Sequence, residues 1–187
     1  MTEHIELTYP DLHTGRLFLR ALSMEDLDFA YQHFGDARVA QYLLDEPPVA
    51  SREEAEAIIQ FYLNPERKNH NRWALVRKAD GRVIGTCGFH KWDRAHMRAE
   101  VGYDLSPDCW GQGYMTEALR AALNNGFTRM NLHRIDAVVH VDNAGSNRLL
   151  QKLGFKLEGV LRDYYYWDGA FHDHNFYGLL RDEWGGL

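Results

Sequence analysis

The chain has 187 residues, 45% of them hydrophobic and 26% charged, the proportions of a soluble single domain with a substantial core. Its formal net charge of -6, without a run of lysine or arginine, argues against a nucleic-acid surface and suits a neutral or cationic partner. Cys87 and Cys109 are too few for a disulfide framework, Met1 to Leu19 lacks the apolar stretch of a signal peptide, and no apolar run reaches the ~18 residues of a membrane span, so a cytoplasmic location is expected.

Arg16 to Leu22 alternates as a first strand. Ser23 with Asp26 three residues later resembles a capping box and predicts a helix through about Phe34. A second box, Ser51 with Glu54, opens a helix whose apolar face is Ala55, Ile58, Ile59 and Tyr62; Asn64-Pro65 should end it. Arg72 to Lys78 and Arg82 to His90 flank the turn Ala79-Asp80-Gly81 and read as a hairpin. Ala99 to Leu105 is a further strand, and Gly113 to about Met130 repeats small or apolar residues at helical spacing. Arg134 to His140 is a strand, and Asn143 to Leu153 a short amphipathic helix. Tyr164 to Trp167, the turn Asp168-Gly169 and a strand to about Leu180 close the chain. No repeats or linkers interrupt this order, so residues 1–187 read as one α/β (α+β) domain. The strand-helix-strand unit in the middle predicts two parallel neighbours within a mixed sheet.

The segment from Leu105 through Trp110, Gly111, Gln112, Gly113, Tyr114, Met115 and Thr116 joins a strand to a helix through two glycines. Free amides in a first helical turn, backed by the helix dipole, form an anion site, and glycine lets a phosphate approach closely. A ligand-free tight connection has the same local pattern. A dinucleotide fingerprint fits poorly, because Thr116 stands where its third glycine belongs and Asp136 sits inside a strand. No Gly-Lys-Ser/Thr closes a Walker loop.

The run Ala99 to Ala118, followed by Asn143 to Phe155 and Glu158 to Asp173, resembles the GNAT N-acetyltransferase superfamily, and within it the RimJ/RimL-like branch of ribosomal-protein N-terminal acetyltransferases. The resemblance spans Thr14 to Trp184. It implies a mixed, mostly antiparallel sheet, flanked by helices and splayed at an acetyl-coenzyme A site, with acetyl-CoA as cosubstrate and no metal. It places the diphosphate on Trp110 to Met115, with Leu105 and Thr116 adjoining. Trp110 and Met115 depart from the general pattern, but the backbone donors remain. Pantetheine would lie between Glu100–Leu105 and Arg134–His140 as an added strand. Gly102 suits the bulge that the family shows there, or equally a small residue beneath a neighbouring side chain.

By the same resemblance Asn143 and Asn147 hold the pantetheine arm, although Asn143 is also a good N-cap and as such needs no ligand. Leu150 occupies the place of the family's acidic tyrosine, so Ser146, one turn into the helix, is the group expected near the sulfur, and Ser146 and Glu100 are the catalytic candidates. Glu100 reads either as a base facing the cleft or as the partner of a neighbouring arginine such as Arg98. Tyr165 stands where RimL-like proteins carry a glutamate, which weakens transfer of their base. His140 and His172 are secondary candidates, and His172 with His174 lacks two further zinc ligands. In Tyr164 to Trp167, alternation sends Tyr164 and Tyr166 to one face, where core and homodimer packing account for most of the run.

The resemblance implies transfer to an amine by direct attack, with the strand at Gly102 and Tyr103 stabilising the oxyanion and neither cysteine forming an acyl-enzyme. The acceptor is a protein N-terminal amine on the branch resemblance; a polyamine, amino acid or aminoglycoside remains open. So does a coenzyme A-binding module without catalysis.

Overall fold

Eight strands form one sheet in the computed structural model, which describes residues 9–43, 47–63 and 69–185. They are β1 (Leu12–His13), β2 (Leu17–Ala21), β3 (Trp73–Arg77), β4 (Val83–Asp93), β5 (Arg98–Leu105), β6 (Arg134–His140), β7 (Lys156–Trp167) and β8 (Ala170–Leu180). The helices are α1 (Leu27–Phe34), α2 (Ala37–Ala40), α3 (Arg52–Leu63), α4 (Tyr114–Thr128) and α5 (Ala144–Lys152). Across the sheet the order is β1-β2-β3-β4-β5-β6-β8-β7. Every pair is antiparallel except β5 with β6, and α4 is the crossover those two parallel strands require.

The apolar stripe of α4, Ala118, Leu119, Ala122 and Leu123, is fully buried in the main core with Trp73, Phe89 and Ile135 of the sheet and Leu150 of α5. A second, smaller core joins Ala30 and Phe34 of α1 to Ala55 and Ile59 of α3 and Ala74 of β3. The Ser51 box is skewed: Glu54 N–H donates to Ser51 Oγ, but the Glu54 carboxylate accepts from Ala50 N–H. The helix stop at Asn64-Pro65 lies outside the described residues.

The boundaries of β7 differ from the sequence expectation. The strand begins at Lys156 rather than Tyr164, because it is an edge strand exposed along most of its length and carries no burial-driven alternation. Two short elements, β1 and α2, also lack enough residues to show a period. The aromatic run alternates as anticipated, with Tyr164 and Tyr166 exposed and Tyr165 and Trp167 half-buried.

The feature that positions the site is a wedge. Strands β5 and β6 pair only at Arg98–Arg134, Ala99–Ile135 and Glu100–Asp136. Beyond that point β5 stays on β4 as far as Leu105, while β6 stays on β8 as far as His140. Among the described residues the Val101–Leu105 half of β5 therefore has a backbone edge without a neighbouring strand on the side away from β4.

Candidate active site

The open end of the wedge runs into the glycine turn. A short 3-10 turn at Pro107–Cys109 follows Leu105, and Trp110 Nε1 donates back to Leu105 O at 2.7 Å, closing the loop on itself. Gly111 and Gly113 have φ of 71° and 79°, a region that L side chains rarely adopt, and Gly113 caps α4. The first amides of α4 have no intrahelical acceptor, an arrangement that suits an anion. The Gln112 side chain is committed to Asp108 O at 2.8 Å, so its contribution to an anion is through the backbone.

Arg16 of the chain entering β2 completes this corner. Its guanidinium donates to Gln112 O at 2.9 Å and to Glu117 Oε2 at 2.7 Å, and lies 4.3 Å from the centre of the Tyr114 ring. Burial pushes the Glu117 carboxyl up, but hydrogen bonds from Thr14 and from Arg16 outweigh it and hold the group below its ordinary value. An ionised Glu117 paired with Arg16 therefore fixes the loop and sets the guanidinium at this corner. Sequence reading missed Arg16, which is 96 positions from Gln112.

Across the wedge, Asn143 caps α5: its Oδ1 accepts from Ser146 N–H at 3.0 Å. Ser146 Oγ lies 2.5 Å from the Tyr103 hydroxyl on β5, a bond that spans the opening. Burial pushes the Tyr103 phenol well above its ordinary value, partly offset by the bond to Ser146. Asn147 is spent on the fold. Its Nδ2 reaches His140 O, Val141 O and Asn143 O, and its Oδ1 accepts from Asn175 and from the Tyr177 hydroxyl, each at 2.8 Å. Its amide locks α5 onto β6 and β8.

Alternation along β5 puts Val101, Tyr103 and Leu105 on the α4 side and Glu100, Gly102 and Asp104 on the other. Glu100 thus stands at the apex of the wedge on the face opposite Ser146. Its carboxylate pairs with Lys91 Nζ at 2.9 Å, whereas Arg98 lies 3.8 Å from Asp93. The expected arginine partner is replaced by this lysine because β4 runs beside β5 here, His90 opposite Glu100. The bulge expected at Gly102 is absent: β4 and β5 stay in register from Gly85–Leu105 to His90–Glu100. Close packing explains the glycine, since a Cβ there would meet Arg72 Nη1 and His90 Nε2 at 3.1 Å.

Behind β5 a buried polar network holds its free half in place. Asp104 accepts from Thr86 N–H at 2.9 Å, from Thr86 Oγ1 at 2.5 Å and from Arg72, and contacts His33 Nε2 at 2.7 Å. Burial pushes the Asp104 carboxyl up, but the Arg72 charge and these contacts win and keep it far below the usual carboxylate range. Burial and the Arg72 charge together push His90 down to about 3. Burial pushes the Cys87 thiol up to about 12 and raises Cys109, which disfavours the nucleophilic thiolate at both. His140 and His172 approach each other, with Nε2 3.3 Å from Nδ1, beside His174 and Tyr42 at the end of β6. Among the described residues no group of three or more His, Cys, Asp or Glu side chains is arranged for a metal, and no helix is long and apolar enough to cross a membrane.

Comparison with known proteins matches residues 16–156 to an acetyltransferase (GNAT) domain. The uncharacterised N-acetyltransferase YoaA of Bacillus subtilis (strain 168) is 38% identical over 92% of this chain and 98% of its own. Among solved structures, the ribosomal L7/L12 α-N-protein acetyltransferase RimL in complex with coenzyme A superposes with a TM-score of 0.83 at 25% identity, covering 91% of this chain and 98% of that one. The spermidine N-acetyltransferase of Vibrio cholerae in complex with CoA and spermine gives 0.81 at 25% identity over the same shares.

Proposed function

The chain belongs to the GNAT acetyltransferase family of N-acetyltransferases, and on that premise we propose direct transfer of acetyl from acetyl-coenzyme A to an α-amine such as a protein N-terminus. The wedge between β5 and β6 carries this reading, because its mouth meets the glycine turn and its two faces hold different chemistry. The amides of Gly111 to Thr116, with Arg16 beside them, would hold the diphosphate. The unpaired edge at Val101–Leu105 would receive the pantetheine as an added strand and offer the Gly102 and Tyr103 region to the oxyanion. Ser146 would lie at the sulfur, and the acceptor would enter from the Glu100 face.

The acceptor class rests on the cost of freeing the amine of its proton. Glu100 shares its charge with Lys91, so the site suits an amine that gives up its proton readily. An α-amine near pKa ~7.8 costs only about 1 kcal/mol to deprotonate at pH 7, against about 4.6 kcal/mol for a lysine side chain. A water between Glu100 and the amine would suffice for the easier task. With Cys87 and Cys109 held as thiols, attack on the thioester is direct.

Thiol release from acetyl-coenzyme A tests the proposal against a panel of peptides with free N-termini, N-blocked lysine peptides, spermidine, free amino acids and an aminoglycoside. The highest kcat/KM is expected with the peptide α-amines. A higher value with spermidine would move the acceptor to the polyamines, the class named for the Vibrio cholerae relative. Coenzyme A binding with no turnover on any amine would make the chain a binding module.

A further inference from the structure

We propose that Tyr103 is a positioning residue that presents the Ser146 hydroxyl to the departing sulfur, an inference that rests on Ser146 lying beside that sulfur. The two oxygens are 2.5 Å apart, joining the half of β5 that β6 leaves unpaired to the first turn of α5. A lone serine hydroxyl turns freely among staggered wells. When the phenol donates to Ser146 Oγ, that oxygen is occupied from one side and its own proton is aimed away from Tyr103, into the wedge. Asn143 restrains the same residue through Ser146 N–H, so backbone and side chain are both held. Tyr103 is half-buried in the main core, and its phenol remains a donor throughout the working range because burial raises its pKa.

The step balances without ionising either hydroxyl. The amine nitrogen forms its bond to the acetyl carbon, the carbon–sulfur bond breaks, and the electron pair leaves on sulfur. Ser146 donates a hydrogen bond to that sulfur. The proton lost by the amine goes through water to Glu100 and returns by way of solvent to the thiolate. Serine is a far weaker acid than a thiol, whose ordinary pKa is ~8.5, so orientation of its O–H matters more than transfer of its proton.

Tyr103→Phe, Ser146→Ala and the double variant, measured with acetyl-coenzyme A and the best acceptor, test this assignment. Tyr103→Phe is expected to lower kcat about tenfold while KM for acetyl-coenzyme A stays within about twofold. In the Ser146→Ala background the same change should cost nothing more, because the phenol acts only through the serine. An unchanged kcat for Tyr103→Phe beside a reduced one for Ser146→Ala overturns the positioning role alone. Equal losses in both backgrounds overturn it in favour of a packing role. Full activity in Ser146→Ala overturns the reading of Ser146 itself, and this inference with it. Coenzyme A calorimetry and thermal unfolding confirm that each variant is folded, and Tyr103→Met replaces the phenylalanine variant should that one fold poorly.

Discussion

Asp104→Ala tests how the unpaired half of β5 is kept in place. Asp104 and Arg72 are buried, with 2% and 8% of their side chains exposed, so removing the carboxylate strands a guanidinium out of reach of bulk water. It also removes the acceptor of the fully buried Thr86 N–H and Oγ1. Breaking one partner of a buried pair costs roughly 3–5 kcal/mol, and a chain of this size loses roughly 2–4 °C in Tm per kcal/mol, so a fall of about 6–20 °C is expected. Thermal and urea unfolding followed by circular dichroism measure it. The double variant Asp104→Leu/Arg72→Met, which removes both charges, should recover a substantial part of the loss. A single variant within 2 °C of the parent, or a double variant no better than the single, would refute the argument that a buried ion pair anchors the strand.

Three further outcomes follow from the site. Gly113→Ala forces an L side chain to φ 79° at the cap of α4 and is expected to weaken coenzyme A binding about tenfold by calorimetry and, since strain of about 1–2 kcal/mol falls on the folded state, to lower Tm by roughly 2–8 °C. Arg16→Ala should raise Kd for coenzyme A several-fold at low salt, and the difference should shrink as salt is added, since part of the loss is charge at a half-exposed corner. His90, near 3 in the fold and ~6.5 unfolded, is neutral when folded, so its contribution is complete above about pH 6.5 and is lost as pH falls towards 3. Urea unfolding should therefore show the parent losing about 2 kcal/mol more than His90→Gln between pH 7.5 and pH 5; equal slopes for the two would contradict it.

Much of the fold was legible because it is locally encoded. Ser23 with Asp26, the hairpin turn at Asp80-Gly81 and the helical repeat from Met115 to Phe127 carry their own geometry in neighbouring residues. The strand-helix-strand order required β5 and β6 to be parallel, and the glycines at 111 and 113 announced a tight turn before a helix, which the structure makes left-handed at both. The edge strand β7 escaped, since exposure erases the alternation by which a strand is read. Of the two readings of Gly102, the bulge came from resemblance alone, and the small residue beneath a neighbouring side chain is the one the structure shows, with Arg72 just before β3 and His90 on β4 closing over it.

Chain order and local chemistry by themselves determined most of the strands and helices, that one pair would run parallel, and where a glycine turn would lead into a helix. Only tertiary structure decided that β5 and β6 part after Glu100–Asp136, that Lys91 rather than Arg98 claims Glu100, and that Tyr103 meets Ser146. The reason is physical: backbone conformation is set by neighbours in the chain, whereas the partner of a side chain depends on which strand is laid beside it. That pairing is chosen by burial across the whole sheet.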